Sequence, residues 1–200
     1  MKKEYLNNDL KTFKSKSSEV KKLLNETLYI LDCFGIPLDK MTPRRKERMA
    51  IAFLAVGDVK EIIDFNNIKD SNNADLHSPK TRQIIEFVNK HFQENISSGS
   101  YDDIRRKDLK LLVLGDIVLK SSPNSATNDS TRGYVVNPFY ADLIRKINSS
   151  VDWVSLVKTK LKDVLEPAVD DKYYLSDEMI KGFIKSSEKH EEKGTGFTWN

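Results

Sequence analysis

Two short runs of aliphatic and β-branched residues, Ile117-Val-Leu-Lys120 and Tyr134-Val-Val136, flank the polar stretch Ser121 to Gly133. An amphipathic basic segment, Ser100 to Leu114, leads directly into the first of them. Runs of this kind separated by turn-forming residues read as the two arms of a hairpin. Gly115 is placed to end a helix, and Asn137-Pro138 to open another, because a proline in the first turn loses no hydrogen bond. Helix, hairpin, helix is therefore the order that the rest of the chain must pack around.

Within the basic segment, Ser100 stands three residues before Asp103, which resembles a capping box with Asp in place of Glu or Gln. Counting 100° per residue from Ile104 puts Leu111 and Leu112 on its side, with Tyr101 close by. Arg106 and Lys110 fall opposite, with Arg105 and Lys107 on the flanks. Such a helix buries one side and presents cations on the other. Followed by a hairpin with a polar tip, this is the order of a winged helix, whose cationic helix enters the major groove of a duplex. There arginine can pair with guanine acceptors, and lysine can neutralise phosphate. The candidate DNA-binding residues are thus Ser100, Arg105, Arg106, Lys107, Lys110 and, in the hairpin tip, Arg132. The plainer alternative is a solvated charged face beside a surface hairpin.

Upstream, Val20, Leu23, Leu24, Leu28 and Leu31 fall at helical spacing until Gly35-Ile-Pro37 stops them. Thr42-Pro43 caps a second helix carrying Ile51, Phe53, Leu54 and Val56, whose first turn holds Arg44, Arg45 and Lys46 as a solvated charge run. Residues 65–80 read as a loop by composition. Ile84, Ile85, Val88 and Phe92 mark a further core-facing helix. Residues 1–19, rich in Lys, Ser and Asn, are expected to form a polar extension that frays.

The 33 basic side chains face 30 acidic ones, for a formal net charge of +3, so the overall balance does not favour a polyanionic partner; the local clustering does. Cys33 is the single cysteine, which excludes an intramolecular disulfide and suits a reducing compartment and a core-packing role. His77, His91 and His190 share no ligand spacing with it. Asp177, Glu191 and Lys193 match a loose nuclease pattern of the kind chance supplies in a highly charged chain. Trp153 reads as a core plug. No window is apolar enough to cross a bilayer, and a cytoplasmic location is expected, with no membrane partner.

Several of these segments, in order, resemble the N-terminal helical, winged-helix region of restriction endonucleases of the BsuBI/PstI type, over about residues 25–155. They are Ile30-Leu-Asp-Cys-Phe-Gly-Ile-Pro37, the helix from Arg45 to Val56, Ile104-Arg105-Arg106, Gly115-Asp-Ile-Val118 and Tyr134-Val-Val-Asn-Pro138. A second, shorter likeness begins at Leu161-Lys-Asp-Val-Leu-Glu166 and continues through Lys172-Tyr-Tyr-Leu-Ser176 to Gly194-Thr-Gly-Phe197. It resembles the approach to the target-recognition region of cytosine-5 DNA methyltransferases. That family's catalytic Pro-Cys, Glu-Asn-Val and Gly-rich cofactor loop have no counterpart here.

The expected architecture is mainly α: a polar extension (1–19), a helical winged-helix domain (20–153) and a helical, methyltransferase-like tail (154–200). The resemblance implies a non-catalytic specificity module of a restriction-modification system that binds double-stranded DNA, with a nuclease or methyltransferase subunit as further partner. No catalytic residues, cofactor or metal are expected. The second reading is a fragment of a cytosine-5 DNA methyltransferase; a helical protein-interaction module has no residue pattern in its favour.

Overall fold

The computed structural model describes residues 3–73, 77–121, 133–148 and 152–165. The helices are α1 (Lys11–Lys14), α2 (Ser18–Cys33), α3 (Pro43–Val56), α4 (Thr81–His91), α5 (Tyr101–Asp103), α6 (Lys110–Leu114), α7 (Pro138–Arg145) and α8 (Trp153–Leu165). A two-stranded antiparallel hairpin, β1 (Val118–Lys120) and β2 (Tyr134–Val136), lies between α6 and α7. The fold is thus mainly helical with a small hairpin, as the pattern from Ser100 to Val136 implies.

Local chemistry sets most of the helix starts. Ser17, Thr42 and Asn137 each accept a backbone N–H with the side chain, and Pro43 and Pro138 occupy the first turns of α3 and α7. Ser100 does not act as expected. Its backbone (φ −81°, ψ 14°) lacks the extended conformation of a cap and its hydroxyl makes no capping bond, because a 3-10 turn, Ser98–Ser100, precedes the helix and Ser97 accepts from the Gly99 N–H instead. In the expected loop at 65–80, Phe65, Ile68 and Asp70 are buried and 3-10 turns form at Ile62–Asn67 and Ser71–Asn73. Asp70 also makes an isolated parallel bridge to Val136, beside the two-stranded hairpin.

The hairpin pairs Val118 with Val136, Leu119 with Val135 and Lys120 with Tyr134. Its base is closed by Ser121 N–H to Gly133 O at 3.0 Å and docked on the start of α4 by Tyr134 N–H to Pro79 O at 3.1 Å. A Cβ on Gly133 would collide with the Ser78 backbone, so this docking requires glycine. Gly57 is constrained in the same way, since a Cβ there would lie 2.6 Å from Ile68 Cγ1.

One core unites these elements. α3 runs through its centre, buried from Met49 to Val56. Trp153 is the plug its position suggests: its indole N–H donates to Leu143 O at 2.7 Å, and its ring lies 6.0 Å from Tyr29 and 6.1 Å from Phe34. Cys33 is half-buried beside them and free, its thiol pushed up by burial.

The N-terminal segment departs from the expectation that it frays. Tyr5, Leu6 and Phe13 are buried, and the Asn25 side chain accepts from the Tyr5 and Leu6 N–H groups at 2.8 and 2.9 Å. Lys16, whose side chain is 0% exposed, donates to Phe92 O and to Glu94 Oε1, both at 2.6 Å. Thr12 donates to the buried Glu47 at 2.6 Å, and Arg44 joins Glu47 to Glu94. The polar residues that suggest disorder are here the partners of buried charges on α3 and after α4, so composition misleads. The same contacts revise the reading of Arg44 and Arg45 as a solvated run. Arg44 serves that cluster, and Arg45 is buried with its guanidinium donating to Lys107 O. Burial works against the ionised Glu94 carboxylate, but bonds from Arg44 and Lys16 outweigh it and hold its pKa below the usual carboxylate range.

Candidate nucleic-acid interface

α3, α4 and the run Tyr101–Leu114 follow the helix order of a winged helix, with the Asp70 bridge and the hairpin as its sheet. In such folds the last helix before the hairpin is the one positioned to meet a duplex. The nine residues between α4 and Tyr101 are held by Asn89, whose side chain accepts from the Ile96 N–H at 2.8 Å and donates to Ile96 O at 2.9 Å. That two-way bond fixes where the basic helix begins.

The helix is not regular. Leu109 N–H bonds to Ile104 O at 2.9 Å, so Ile104–Asp108 forms a π turn between α5 and α6. π turns inside helices often occur at functional sites. Here the widened turn lets Ile104, Asp108 and Leu109 all face inward. Arg48 meets Asp108 with Nε at 3.0 Å and Nη2 at 2.6 Å. Burial raises the Asp108 carboxyl pKa against the pull of Arg48. With Arg45 on Lys107 O, α3 therefore grips the basic helix at two consecutive residues.

On the outward side, Arg106 is 70% exposed and Lys110 is exposed as well. Arg105 and Lys107 are partly exposed on the flanks. Ser100 is half-buried at the start. Each of the first three cations has a carboxylate on its own helix: Arg105 and Arg106 share Asp102, at 2.5 and 2.8 Å, and Lys107 lies 3.2 Å from Asp103. The arginine bonds lower the Asp102 pKa. Arg132 and the hairpin tip lie outside the described residues, as do Asp177, Glu191 and Lys193.

Two residues absent from the sequence-based set belong to the same surface. Arg82, in the first turn of α4, lies over the Tyr101 ring at 5.5 Å, and Tyr101 is 46% exposed. Because Pro79 just before α4 receives the hairpin, this end of α4 touches both the first turn of the basic helix and the base of the wing. A cation at the start of the middle helix is a legible signal only once that helix is known to neighbour Tyr101.

Among the described residues, no group of His, Cys, Asp and Glu is arranged to hold a metal ion, and no helix is long and apolar enough to cross a membrane. The arrangement provides a cationic edge, an exposed aromatic ring and a hairpin, which suit contact with a polyanion.

Residues 21–166 match the model of the BsuBI/PstI restriction endonuclease HTH domain. Among solved structures, that of the SdaI restriction endonuclease is similar, with a TM-score of 0.51 and 18% identity over 72% of this chain and 46% of that one. At that identity the likeness shows the fold. The chain spans less than half the length of that endonuclease. No curated protein matches the chain. The family match extends to residue 166, across the start of the stretch expected above to be methyltransferase-like, and none of the comparisons supports that expectation; beyond Leu165 the stretch lies outside the described residues.

Proposed function

Since this chain belongs to the BsuBI/PstI restriction endonuclease HTH-domain family, we propose that it binds double-stranded DNA as the specificity part of a restriction-modification system, with strand cleavage carried out elsewhere. The observation that carries this reading is the two-sidedness of the run Tyr101–Leu114. Asp108 and Lys107 O are held to α3 on one side, while Arg106 and Lys110 face solvent on the other, next to a hairpin. A helix fixed on its inner side meets a groove with its backbone already ordered, so binding need order only the exposed side chains.

In this reading the helix lies in the major groove. Arg105 and Arg106 approach base edges or phosphates, while Lys107 and Lys110 neutralise phosphates. Ser100, Arg82 and Tyr101 contact the backbone near the start of the helix, and Arg132 meets it from the wing. The partner that would complete the system is a nuclease or methyltransferase subunit.

Fluorescence anisotropy on labelled duplex DNA tests the proposal. Affinity of the full chain should fall steeply with salt, because each neutralised phosphate releases counterions. Arg106→Ala with Lys110→Ala should weaken binding and reduce the log–log salt slope by about two. Unchanged binding in that double variant would remove this helix from the interface.

A further inference from the structure

Both oxygens of Asp102 are occupied by arginines of the outward face. Oδ1 takes Arg105, through Nη2 at 2.5 Å and Nε at 3.2 Å, and Oδ2 takes Arg106 Nε at 2.8 Å. At the next residue, Asp103 Oδ1 holds Lys107 Nζ at 3.2 Å. Three of the cations that would meet DNA are thus already paired, within a single helix, in the free protein. The two carboxylates stand in the helix's first turn, where the helix dipole favours anions.

Resting on the DNA-binding reading above, we propose that Asp102 and Asp103 are specificity-determining residues. They hold Arg105, Arg106 and Lys107 away from the phosphates of arbitrary DNA and release them only to a sequence whose base edges supply better acceptors.

Exposed pairs of this kind are weak in water and easily exchanged. A non-cognate duplex offers phosphates alone. To use them it must break the pairs and also bring two carboxylates close to its own negative charge, and both steps oppose binding. A cognate sequence adds planar, two-acceptor base edges to the phosphates, and the two together replace an exposed, solvent-screened carboxylate. Discrimination then comes as much from repelling the wrong duplex as from attracting the right one. The exposed pair between Asp142, 67% exposed, and Arg145 on α7 has the same i,i+3 spacing as Asp102 and Arg105 and provides an internal control; Arg145 stays held by Asp70 and Ile68 O when Asp142 is neutralised.

The test uses the full chain and two probes: a random-sequence duplex, and a duplex that the unmodified protein selects from a randomised pool. Anisotropy titrations from 0.05 to 0.2 M salt, roughly the range in which phosphate contacts dominate affinity, compare it with Asp102→Asn/Asp103→Asn. For the variant, random-sequence affinity should rise about tenfold and its salt slope steepen by about one to two, while the selected duplex gains less, so the preference narrows. Asp142→Asn should change neither. In an Arg105→Ala/Arg106→Ala/Lys107→Ala background most of the rise should be lost, because those three cations are what the carboxylates restrain.

An unchanged random-sequence affinity would overturn the proposal. So would an equal gain on both probes, a gain undiminished by loss of the three cations, or a pool from which nothing is selected. If the unmodified protein binds neither probe at the lowest salt, the DNA-binding reading itself fails, and this one with it.

Discussion

Arg48 and Asp108, sixty residues apart, form a buried ion pair in which Nη2 lies 2.6 Å from Oδ2, joining the central helix α3 to the π turn of the basic helix. Breaking one side strands the other. Arg48→Ala should cost about 3 kcal/mol, the lower part of the range for buried pairs, because the guanidinium side chain is still 16% exposed. Urea unfolding measures this. Replacing both partners, Arg48→Met with Asp108→Leu, should restore most of the loss, since apolar packing substitutes well for a buried pair.

Acid should weaken the fold through Glu94. Its native pKa is lowered, so its contribution is present above the unfolded value of about 4.3 and is lost as pH falls through the lower native value. Thermal melts between about pH 3 and 7 should show an acid limb, and Glu94→Gln should flatten it. An identical limb in the variant would place the titration elsewhere.

Gly57→Ala should destabilise by about 1–3 kcal/mol, the usual range for forced overpacking, because the added Cβ meets Ile68 Cγ1 at 2.6 Å and Cδ1 at 2.8 Å. Ile68 is 1% exposed, so it cannot relieve the clash by turning into solvent. Calorimetry of the variant provides the measure.

Asn89→Ala removes two hydrogen bonds to Ile96 and leaves that residue's backbone groups to find new partners. The expected cost is about 1–3 kcal/mol. Hydrogen exchange should show the loosening concentrated between α4 and Tyr101, and DNA affinity should fall because the start of the basic helix is no longer fixed.

Arg82→Ala should leave the melting temperature nearly unchanged, since its contact with Tyr101 is exposed and worth about 0.5–1 kcal/mol. DNA affinity should nonetheless drop, with a salt slope shallower by about one. Equal affinity would take Arg82 out of the interface.

Patterns that depend on near neighbours were legible in the sequence. The caps at Thr42 and Asn137, the helix faces of α2 and α4, the hairpin arms and the burial of Trp153 all follow from spacing and turn chemistry within a few residues. The solvent-facing placement of Arg106 and Lys110 follows from the 100° count as well. The same count brings Asp108 within 40° of Ile104, on the inward side, yet its charge obscures this; only the fold shows Arg48 waiting there. Ser100 reads as a cap because Asp103 stands three residues on, whereas the 3-10 turn that takes its place depends on Ser97, outside that spacing. The resemblance to the BsuBI/PstI family, carried by segments in order, supplied what local pattern could not: how the helices are assembled around the hairpin.

Polar composition hid the largest difference. Lys16 and Thr12 look like solvent-loving residues until α3 and the turn after α4 supply Glu47 and Glu94 as partners, and no local rule connects positions that far apart. One oxygen of Glu47, Oε1, is buried without a hydrogen bond among the described residues, with Lys16 Nζ 3.8 Å away.

A fragment cut at residue 21, where the family match begins, would discard that lysine and leave two interior acids sharing Arg44 as their remaining ion-pair partner among the described residues. The homologous stretch and the unit that folds do not share a boundary, and an expression clone trimmed to the former should come out insoluble.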